Sequence, residues 1–330
     1  MVMRRLAFGA LGLILLLVSA VAFATTESQW PEPGRSIQTI VPSQAGSGVG
    51  NSIARLVTEA LSAHLGNRIV LQNLTSSNNF PSILSSLDPG TDGYTLLFAT
   101  VDTLVIEPEL NRGLNFDPLQ HFTPIGLVAE IPHIVVVNNE LPVKTLDELT
   151  EYLGKYPGVV HFGSSGNGSA LHLAGEAYMS ATGTNMVHVP YSASETATNN
   201  LVSGDIQVMF QLVSGVANYV RTDKLRALAM MSQYRSPVLP EVPSMAELGY
   251  PTLRAAKWYA LLAPRGTPQA IIDQYNAALN EVLASPELQE RLLELGAIPI
   301  GGGPNDLEDC LLSETLKWGA VIREAHILPR

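Results

Sequence analysis

Short apolar runs alternate with longer amphipathic segments along most of this sequence. Residues 37–41 alternate as a strand does, and residues 53–65 carry apolar side chains at helical spacing. The same order recurs farther along the chain, where an apolar run at 159–162 precedes a helical pattern at 170–182. Strands separated by helices of roughly ten or more residues are typical of parallel βαβ units. The sequence therefore predicts an α/β fold throughout.

Two loops rich in glycine and serine occupy corresponding places in this pattern, each between a strand and a helix. The first is 43–51 (SQAGSGVGN) and the second is 163–169 (GSSGNGS). Glycine lets the backbone approach a ligand closely, and the unpaired N–H groups of a first helical turn favour a negative group. In open α/β sheets this edge is where ligands bind. The two loops predict a clamp around one anionic or polar ligand, although each loop could instead only cap its helix.

Three residues near these loops have expected structural roles. Asn51 precedes the first helical pattern, and asparagine is among the best N-cap residues, so we expect Asn51 to open that helix and Gly66 to close it. Tyr191 is the aromatic residue that we expect to face a ligand cleft. The alternative for Tyr191 is a buried ring whose hydroxyl is hydrogen-bonded within the protein.

The N-terminus has the order of a secretory signal peptide. Arg4 and Arg5 precede an apolar run at 6–23, and residues 22–24 form an A-x-A-like cleavage signal. An apolar run of this length could also remain as a membrane anchor, but small residues cluster at its end. No cysteine lies near that end to carry a lipid. We therefore predict that residues 1–24 are cleaved and that the protein is exported to the periplasm.

The charge balance excludes some partners. Cleavage would lower Lys plus Arg from 19 to 17 against 30 Asp plus Glu, which changes the net charge from -11 to -13. Nucleic acid needs clustered Lys and Arg, so an acidic chain of this kind is not expected to bind it. An anionic membrane surface is disfavoured for the same reason. An anionic ligand would have to be held by local hydrogen-bond donors against the net field.

The single cysteine and the length of the chain limit the architectures that it can adopt. Cys310 has no partner for an intrachain disulfide, so the apolar core must stabilise the fold alone. With 46% hydrophobic residues the chain can form such a core, and chains of this size usually divide into two lobes. We expect Cys310 to be a bystander, because it lies far along the chain from both loops.

Motifs for common cofactors and catalytic groups are missing from the sequence. Neither loop satisfies G-x-G-x-x-G, and G-x-x-x-x-G-K-[ST] does not occur, which excludes two nucleotide-binding motifs. The serines of the second loop do not fit G-x-S-x-G. The seven histidines include no H-E-x-x-H and show no zinc-ligand spacing. We therefore predict a protein without a cofactor, a metal or a catalytic residue.

One enzymatic alternative stays open. Ser164 or Ser165 could act as a hydrolase nucleophile with His172 or His188, which flank the second loop and could meet in space. No acid that would orient either histidine stands out. Packing or ligand contact is the favoured interpretation of the two histidines over a metal site.

Several strings along the chain resemble the substrate-binding receptors of tripartite tricarboxylate transporters, also called Bug receptors. Each string is weak alone, but together their order and spacing are specific. The resemblance spans essentially the whole chain after residue 24. The strings are 40–42 (IVP) with the loop to 54–55 (AR), 92–97 (DGYTLL), 163–172 (GSSGNGSALH), 175–176 (GE), 188–191 (HVPY), 224–229 (KLRALA), 235–237 (RSP), 242–244 (VPS), 249–251 (GYP), 262–264 (LAP) and 266–268 (GTP).

The resemblance implies a fold and a division of the chain. It implies the type-two periplasmic binding protein fold, in which two α/β lobes close on a ligand between them. Residues 25–131 and 259–330 would form lobe I, and residues 132–258 would form lobe II. Two crossing segments would lie near 131–137 and 258–262.

The resemblance also implies a function. The protein would be a periplasmic receptor, not an enzyme, that delivers a small carboxylate to the membrane subunits of a tripartite transporter. We expect it to be a monomer. A binding module that feeds a signalling sensor is the alternative. The ligand-binding residues that the resemblance implies are Gln44, Ala45, Gly46, Ser47, Gly48, Thr100, Ser164, Asn167, Ser169 and Tyr191.

Departures from the family pattern affect both halves of the chain. The first loop is one residue longer than usual, and Asn51 and Gln207 each stand where the family commonly has Asp. If these amides face the cleft, the site is less negative and Gln207 joins the ligand-binding residues. A more anionic ligand would then be tolerated. Otherwise Asn51 only caps its helix, Gln207 bonds backbone, and ligand choice is unchanged.

Overall fold

The computed structural model describes residues 30–43, 45, 48–74, 83–84, 90–111, 113 and 116–327. The expected signal peptide, residues 1–24, lies outside these ranges, and so do Gln44, Gly46 and Ser47 of the first loop. Across the described ranges, no helix combines the length and the apolar composition needed to cross a bilayer.

Strands and helices alternate along the described chain, as the sequence pattern predicts. The strands are β1 (Ile37–Val41), β2 (Ile69–Asn73), β3 (Thr95–Thr100), β4 (Phe122–Asn138), β5 (His161–Ser164), β6 (Val187–Pro190), β7 (Val208–Leu212), β8 (Leu225–Met230), β9 (Ala256–Pro264) and β10 (Ile298–Gly301). The helices are α1 (Gly48–Leu65), a π-helical turn (Asp102–Ile106) that continues into α2 (Glu107–Leu110), α3 (Pro118–His121), α4 (Leu146–Lys155), α5 (Ala170–Thr182), α6 (Ser194–Ser203), α7 (Val213–Arg221), α8 (Gln269–Leu283), α9 (Pro286–Glu294) and α10 (Pro304–Glu324).

The strands form one mixed sheet in the order β2-β1-β3-β9-β4-β7-β5-β6, and β8 and β10 also pair with β4. β1 is parallel to β2 and β3, and β5 is parallel to β6 and β7. These two parallel groups confirm the βαβ units predicted from the sequence. β9 is antiparallel to both β3 and β4, so it lies between the two groups.

The long strand β4 belongs to both ends of the sheet. Its first part, as far as Pro132, pairs with β9, and its second part, from His133 onward, pairs with β7. The change of partner therefore occurs between two consecutive residues. The division into lobes at 25–131, 132–258 and 259–330 stays a prediction.

Side chains alternate across the sheet into two apolar cores. On β9, Trp258 and Ala260 pack into one core, and Tyr259 and Leu261 pack into the other. α10 covers the first face with residues such as Trp318, whereas α1 and α8 cover the second. The apolar core expected from the composition is thus split between two faces of one sheet.

The expected N-cap role of Asn51 is wrong. α1 begins at Gly48, so Asn51 lies inside its first turn and is buried. Gly48 has a φ of 70°, a left-handed conformation that glycine adopts at little cost, and this lets the chain enter the helix earlier. The expectation for Gly66 is confirmed, because it follows the last helical residue with a φ of 65°.

Neither α7 nor β10 is predicted from the pattern. α7 follows β7 directly and has the apolar Leu212 at its N-cap position. The sequence therefore has no polar capping residue to indicate where this helix starts. β10 has four residues, and one of them is Pro299. Proline is rare inside strands, which hides such a segment from pattern reading.

Candidate functional site

The carboxyl ends of several strands open into one cleft of about 1500 Å³. Residues that follow β1 and β3 line it, among them Ser43 and Thr103. Gln211 contributes from the end of β7 and Tyr259 from the start of β9. The cleft therefore lies at the sheet edge where ligands bind in α/β folds.

Helices α1, α6 and α7 each place residues of their first turn at this cleft. Its lining includes Gly48 and Gly50 of α1, Ser194 of α6 and Ser214 of α7. The N-cap positions of α6 and α7 carry no side-chain hydrogen bond, because Ala193 and Leu212 are apolar. The first N–H groups of a helix lack intrahelical partners and carry the positive end of its dipole. The three helices together favour a negative group in the cleft.

Charged side chains alone do not make this cleft positive. Among the described lining residues four acids outnumber two bases, so an anion would depend on dipoles and hydrogen bonds. The charged lining residues are Asp102, Glu195, Arg221, Lys257, Glu290 and Glu294.

Asn51 fixes the first turn of α1 to the loop and to β2. Its Nδ2 donates to Ser43 Oγ at 3.0 Å, and its Oδ1 accepts from Asn73 Nδ2 at 2.7 Å. Asn73 Nδ2 also donates to the carbonyl oxygen of Ser43 at 3.0 Å. This network holds the N-terminus of α1 in place at the wall of the cleft.

An ion pair lies on the floor of the cleft. Lys257 Nζ on β9 is 2.7 Å from Asp102 Oδ2, and the side chains are 31% and 37% exposed. Burial disfavours the charged form of Asp102, but the ammonium of Lys257 outweighs it and lowers the pKa of Asp102. Burial also opposes the charge of Lys257, and the carboxylate of Asp102 raises the pKa of Lys257. Both groups are therefore charged at neutral pH.

The hydroxyl of Tyr259 is buried on the same face of β9 as Lys257. It has no hydrogen-bond partner among the described residues. Burial raises the pKa of Tyr259 to about 12, so the hydroxyl keeps its proton. A Cβ atom placed on Gly50 would lie 3.5 Å from this hydroxyl oxygen. The phenol thus stands next to the first turn of α1.

His133 is a second buried polar group near the ion pair. Both of its ring nitrogens lack partners within the described chain. Burial lowers the pKa of His133 to about 4. Asp102 raises that pKa and Lys257 lowers it, which means that the ring is within electrostatic reach of both. The ring is neutral at neutral pH.

A family model described as "Tripartite tricarboxylate transporter family receptor" matches residues 53–327. The chain belongs to this receptor family. Among curated relatives, protein BugT of Bordetella pertussis is 32% identical over 315 residues, which cover 95% of this chain and 96% of BugT. The resemblance identified from the sequence is therefore confirmed.

Solved structures of receptors agree with this assignment. Rpa4515 of R. palustris with adipate has a TM-score of 0.75 at 30% identity, covering 90% of this chain and 99% of that one. MatC from Rhodopseudomonas palustris with bound malate has a TM-score of 0.70 at 26% identity, covering 88% and 100%. Periplasmic binding protein BugD has a TM-score of 0.71 at 27% identity, covering 91% of this chain and 100% of that one. The α/β fold of a periplasmic binding protein, expected from the sequence, is thus confirmed.

The expected ligand-binding residues of the receptor fall into two groups. Gly48 and Thr100 line the cleft, and Ala45 is an exposed residue of the first loop. The second group lies at the carboxyl ends of β5 and β6, outside the residues that line the cleft. This group comprises Ser164, Asn167, Ser169 and Tyr191.

Hydrogen bonds organise the second loop internally. Ser169 is the N-cap of α5 and accepts from the backbone N–H of His172 at 3.3 Å. The backbone N–H of Tyr191 donates to the carbonyl of Ser164 at 3.0 Å. Asn167 is exposed at the tip. A role for these residues in binding stays a prediction.

The two histidines of the receptor do meet, as the sequence suggested. The rings of His172 and His188 stack with centroids 3.6 Å apart and an angle of 9°. Burial and then the neighbouring His172 lower the pKa of His188 to about 4. His172 Nε2 is 3.2 Å from Glu176 Oε1, and its Nδ1 accepts from the backbone N–H of Gly168 at 3.0 Å. The donor to Nδ1 assigns the ring proton to Nε2.

The geometry around Ser164 does not favour the hydrolase alternative. Ser164 Oγ lies 2.6 Å from His188 Nε2, but the residue is fully buried. The same oxygen also bonds the backbone of Gly166. His188 and both backbone groups of Gly166 engage this oxygen, so Ser164 closes the loop on itself and is not among the residues that line the cleft.

Gln207 bonds backbone and does not line the cleft. Its Oε1 accepts from the N–H of His161 at 3.0 Å, and its Nε2 donates to the carbonyl of Gly204 at 3.0 Å. This arrangement matches the alternative in which the amide leaves ligand choice unchanged. Of the two amides, Gln207 and Asn51, only Asn51 is among the residues that line the cleft.

Sequence reasoning missed Asp102 and Lys257. Lys257 directly precedes the residues expected to form the crossing strand, and Tyr259 is two positions farther along. Residues two apart in a strand share a face. The alternation along this strand could therefore have placed Lys257 and Tyr259 on one face. Nothing in the sequence indicates that Asp102 contacts Lys257.

Proposed function

We propose that this protein is a periplasmic receptor that captures a small carboxylate in the cleft and delivers it to the membrane subunits of a tripartite transporter. The convergence of three helix N-termini on one cleft carries the proposal. α1, α6 and α7 supply N–H donors without adding net charge, and a carboxylate can accept several of them. The family match supplies the transporter.

The charge of the chain agrees with this mode of capture. The net charge is -11, so long-range attraction does not bring an anion to the protein. Short-range donors inside the cleft have to provide the affinity. Two structural relatives support a carboxylate, since Rpa4515 was solved with adipate and MatC with malate.

Export and assembly complete the proposal. Residues 1–24 act as a cleaved signal peptide, which agrees with the periplasmic location of the relatives. The receptor works as a monomer, and it releases its ligand unchanged. The absence of turnover is supported by the buried position of Ser164 next to His188.

Thermal unfolding of the processed chain, residues 25–330, tests the capture of carboxylates. A ligand that binds only the folded state raises the melting temperature with its concentration. Succinate, malate, adipate and citrate serve as probes, and the diamide of succinate is the matched control without charge. We expect stabilisation by at least one carboxylate and none by the diamide. Protein that is folded and free of endogenous ligand, and that no carboxylate stabilises, would contradict the proposal.

A further inference from the structure

The cleft also contains three polar side chains that do not belong to the helix N-termini. Asp102 and Lys257 form an ion pair of 2.7 Å on the floor, and both side chains are partly exposed. The buried hydroxyl of Tyr259 has no partner among the described residues. All three residues line the same cleft.

The register of β3 and β9 explains this neighbourhood. Thr100, the last residue of β3, is directly opposite Tyr259 in the antiparallel ladder. Asp102 follows two residues later, at the start of the π-helical turn. Lys257 precedes Tyr259 by two residues and so shares its face. The backbone itself therefore brings an acceptor, a cation and a neutral donor to one spot.

This arrangement of polar groups lowers the stability of the fold unless a ligand forms hydrogen bonds with them. A buried hydroxyl without a partner loses its hydrogen bonds to water and gains none in return. The ion pair also gives up hydration at a cleft surface where apolar residues would pack more cheaply. The three groups are explained most simply as parts of a binding subsite.

We propose that Asp102, Lys257 and Tyr259 form a subsite for a carboxylate that carries a hydrogen-bond donor on the adjacent carbon, that is, an α-hydroxy or α-amino acid. This inference rests on the proposed function. The carboxylate of the ligand accepts from the Lys257 ammonium and the Tyr259 hydroxyl. Its α-hydroxyl or α-ammonium group donates to the Asp102 carboxylate.

An α-substituted acid and the Lys257–Asp102 ion pair are complementary in their charges and in the spacing of their hydrogen-bonding groups. An α-substituted acid presents an acceptor and a donor on adjacent carbons, and the ion pair presents a donor and an acceptor side by side. An unsubstituted acid would satisfy Lys257 and leave Asp102 facing a methylene group. A site built to bond a hydroxyl or an amino group discriminates strongly against the analogue that lacks it. The subsite therefore selects for the α-substituent.

Calorimetric titration with three four-carbon diacids tests this inference. Succinate, L-malate and L-aspartate differ only in the group on the α-carbon, so a difference in affinity reports on that group. We expect malate or aspartate to bind about tenfold or more tightly than succinate. The better of the two identifies whether the donor is a hydroxyl or an ammonium group. Equal affinities for the three probes would overturn the inference.

Asp102→Ala is the more discriminating test, because the affinities for the α-substituted acid and for succinate should change in opposite directions. The variant removes the acceptor, so the preferred α-substituted acid should bind several-fold more weakly. It also frees the Lys257 ammonium, so succinate should bind more tightly. A general loss of structure would weaken both. Glu308→Ala, which removes an exposed acid outside the cleft, is the control of equal charge change.

Tyr259→Phe covers the case in which Asp102→Ala does not fold. It removes one donor without changing charge, and we expect all three acids to bind several-fold more weakly. Retention of the α-substituent preference in folded Asp102→Ala, or unchanged affinities in folded Tyr259→Phe, would overturn the inference. Binding of succinate or adipate without any α-preference would refute the subsite and leave the proposed function standing. Failure of every carboxylate to bind would refute both.

Discussion

Gly50, in the first turn of α1, packs directly against the ring of Tyr259 on β9. A Cβ atom at Gly50 would lie 3.0 Å from Tyr259 Cε1, which is tighter than nine in ten Cβ contacts in proteins. The ring cannot withdraw easily, because it is fully buried and stacks on Phe98 with centroids 5.8 Å apart. The position of the phenol and the position of the helix N-terminus therefore depend on each other.

Gly50→Ala should destabilise the protein and weaken ligand binding. Overpacking of a buried contact typically costs about 1–3 kcal/mol, whereas replacing glycine by alanine in a helix gains only about 0.5–1 kcal/mol. Urea unfolding and calorimetric titration measure the two effects. Gly154→Ala is the matched control, because Gly154 lies in α4 with nothing within 4 Å of the added atom. There we expect a gain of roughly 0.5–1 kcal/mol, and equal gains in both variants would contradict the contact.

Asn51→Asp should leave the fold intact and weaken carboxylate binding about tenfold. The carboxylate can still accept from Asn73 Nδ2 and from a rotated Ser43 hydroxyl, and it sits favourably at a helix N-terminus. Its charge, however, opposes an anion in the cleft. Calorimetric titration with the best carboxylate measures the change. Unchanged affinity would mean that the amide at this position has no bearing on ligand choice.

Gln207→Asp should have the opposite profile. The shorter side chain cannot bridge the N–H of His161 and the carbonyl of Gly204, so we expect a loss of about 1–2 kcal/mol in unfolding free energy. Ligand affinity and selectivity should stay the same, since Gln207 is not among the residues that line the cleft. This variant adds the same charge as Asn51→Asp and serves as its control. A change in selectivity here would contradict the described position.

His133 should make the fold sensitive to mild acid. Its pKa is about 4 in the folded protein, against roughly 6.5 in an unfolded chain. Between these values the unfolded chain binds more protons, so stability falls as the pH decreases from 6.5 toward 4. The contribution lost is on the order of 3 kcal/mol.

Urea unfolding of His133→Leu between pH 7 and 4.5 checks this expectation. The variant should show a clearly smaller dependence of stability on pH than the wild type. Thr39→Val, which removes another buried polar group but none that titrates, is the control and should keep the wild-type slope. An unchanged slope in His133→Leu would assign the acid sensitivity to other groups, His188 among them.

Local chemistry made part of the fold predictable from the sequence. The pattern at 170–182 predicts α5, which begins after the N-cap Ser169 and is followed by Gly183 with a φ of 65°. These signals act between neighbours, so the sequence contains them directly. The sequence also indicated that His172 and His188, which flank the second loop, could meet, and their rings do stack.

The cleft floor could not be predicted in this way. Asp102 and Lys257 are far apart in the sequence and meet only because β9 pairs antiparallel with β3. The early start of α1 was missed for a related reason. The side chain of Asn51 forms hydrogen bonds with Ser43 and Asn73, and Asn73 lies at the end of another strand. Long-range pairing outweighed the local capping preference.

The shared strand β4 has a consequence for how the molecule melts. Phe122 at its start pairs with β9, and Asn138 at its end pairs with β8, so one strand supplies ladder partners to both ends of the sheet. Each of the two apolar cores also spans those ends. Neither end can lose its structure without stripping hydrogen bonds and apolar cover from the other. Two apparent halves should therefore melt in one transition, with equal calorimetric and van't Hoff enthalpies.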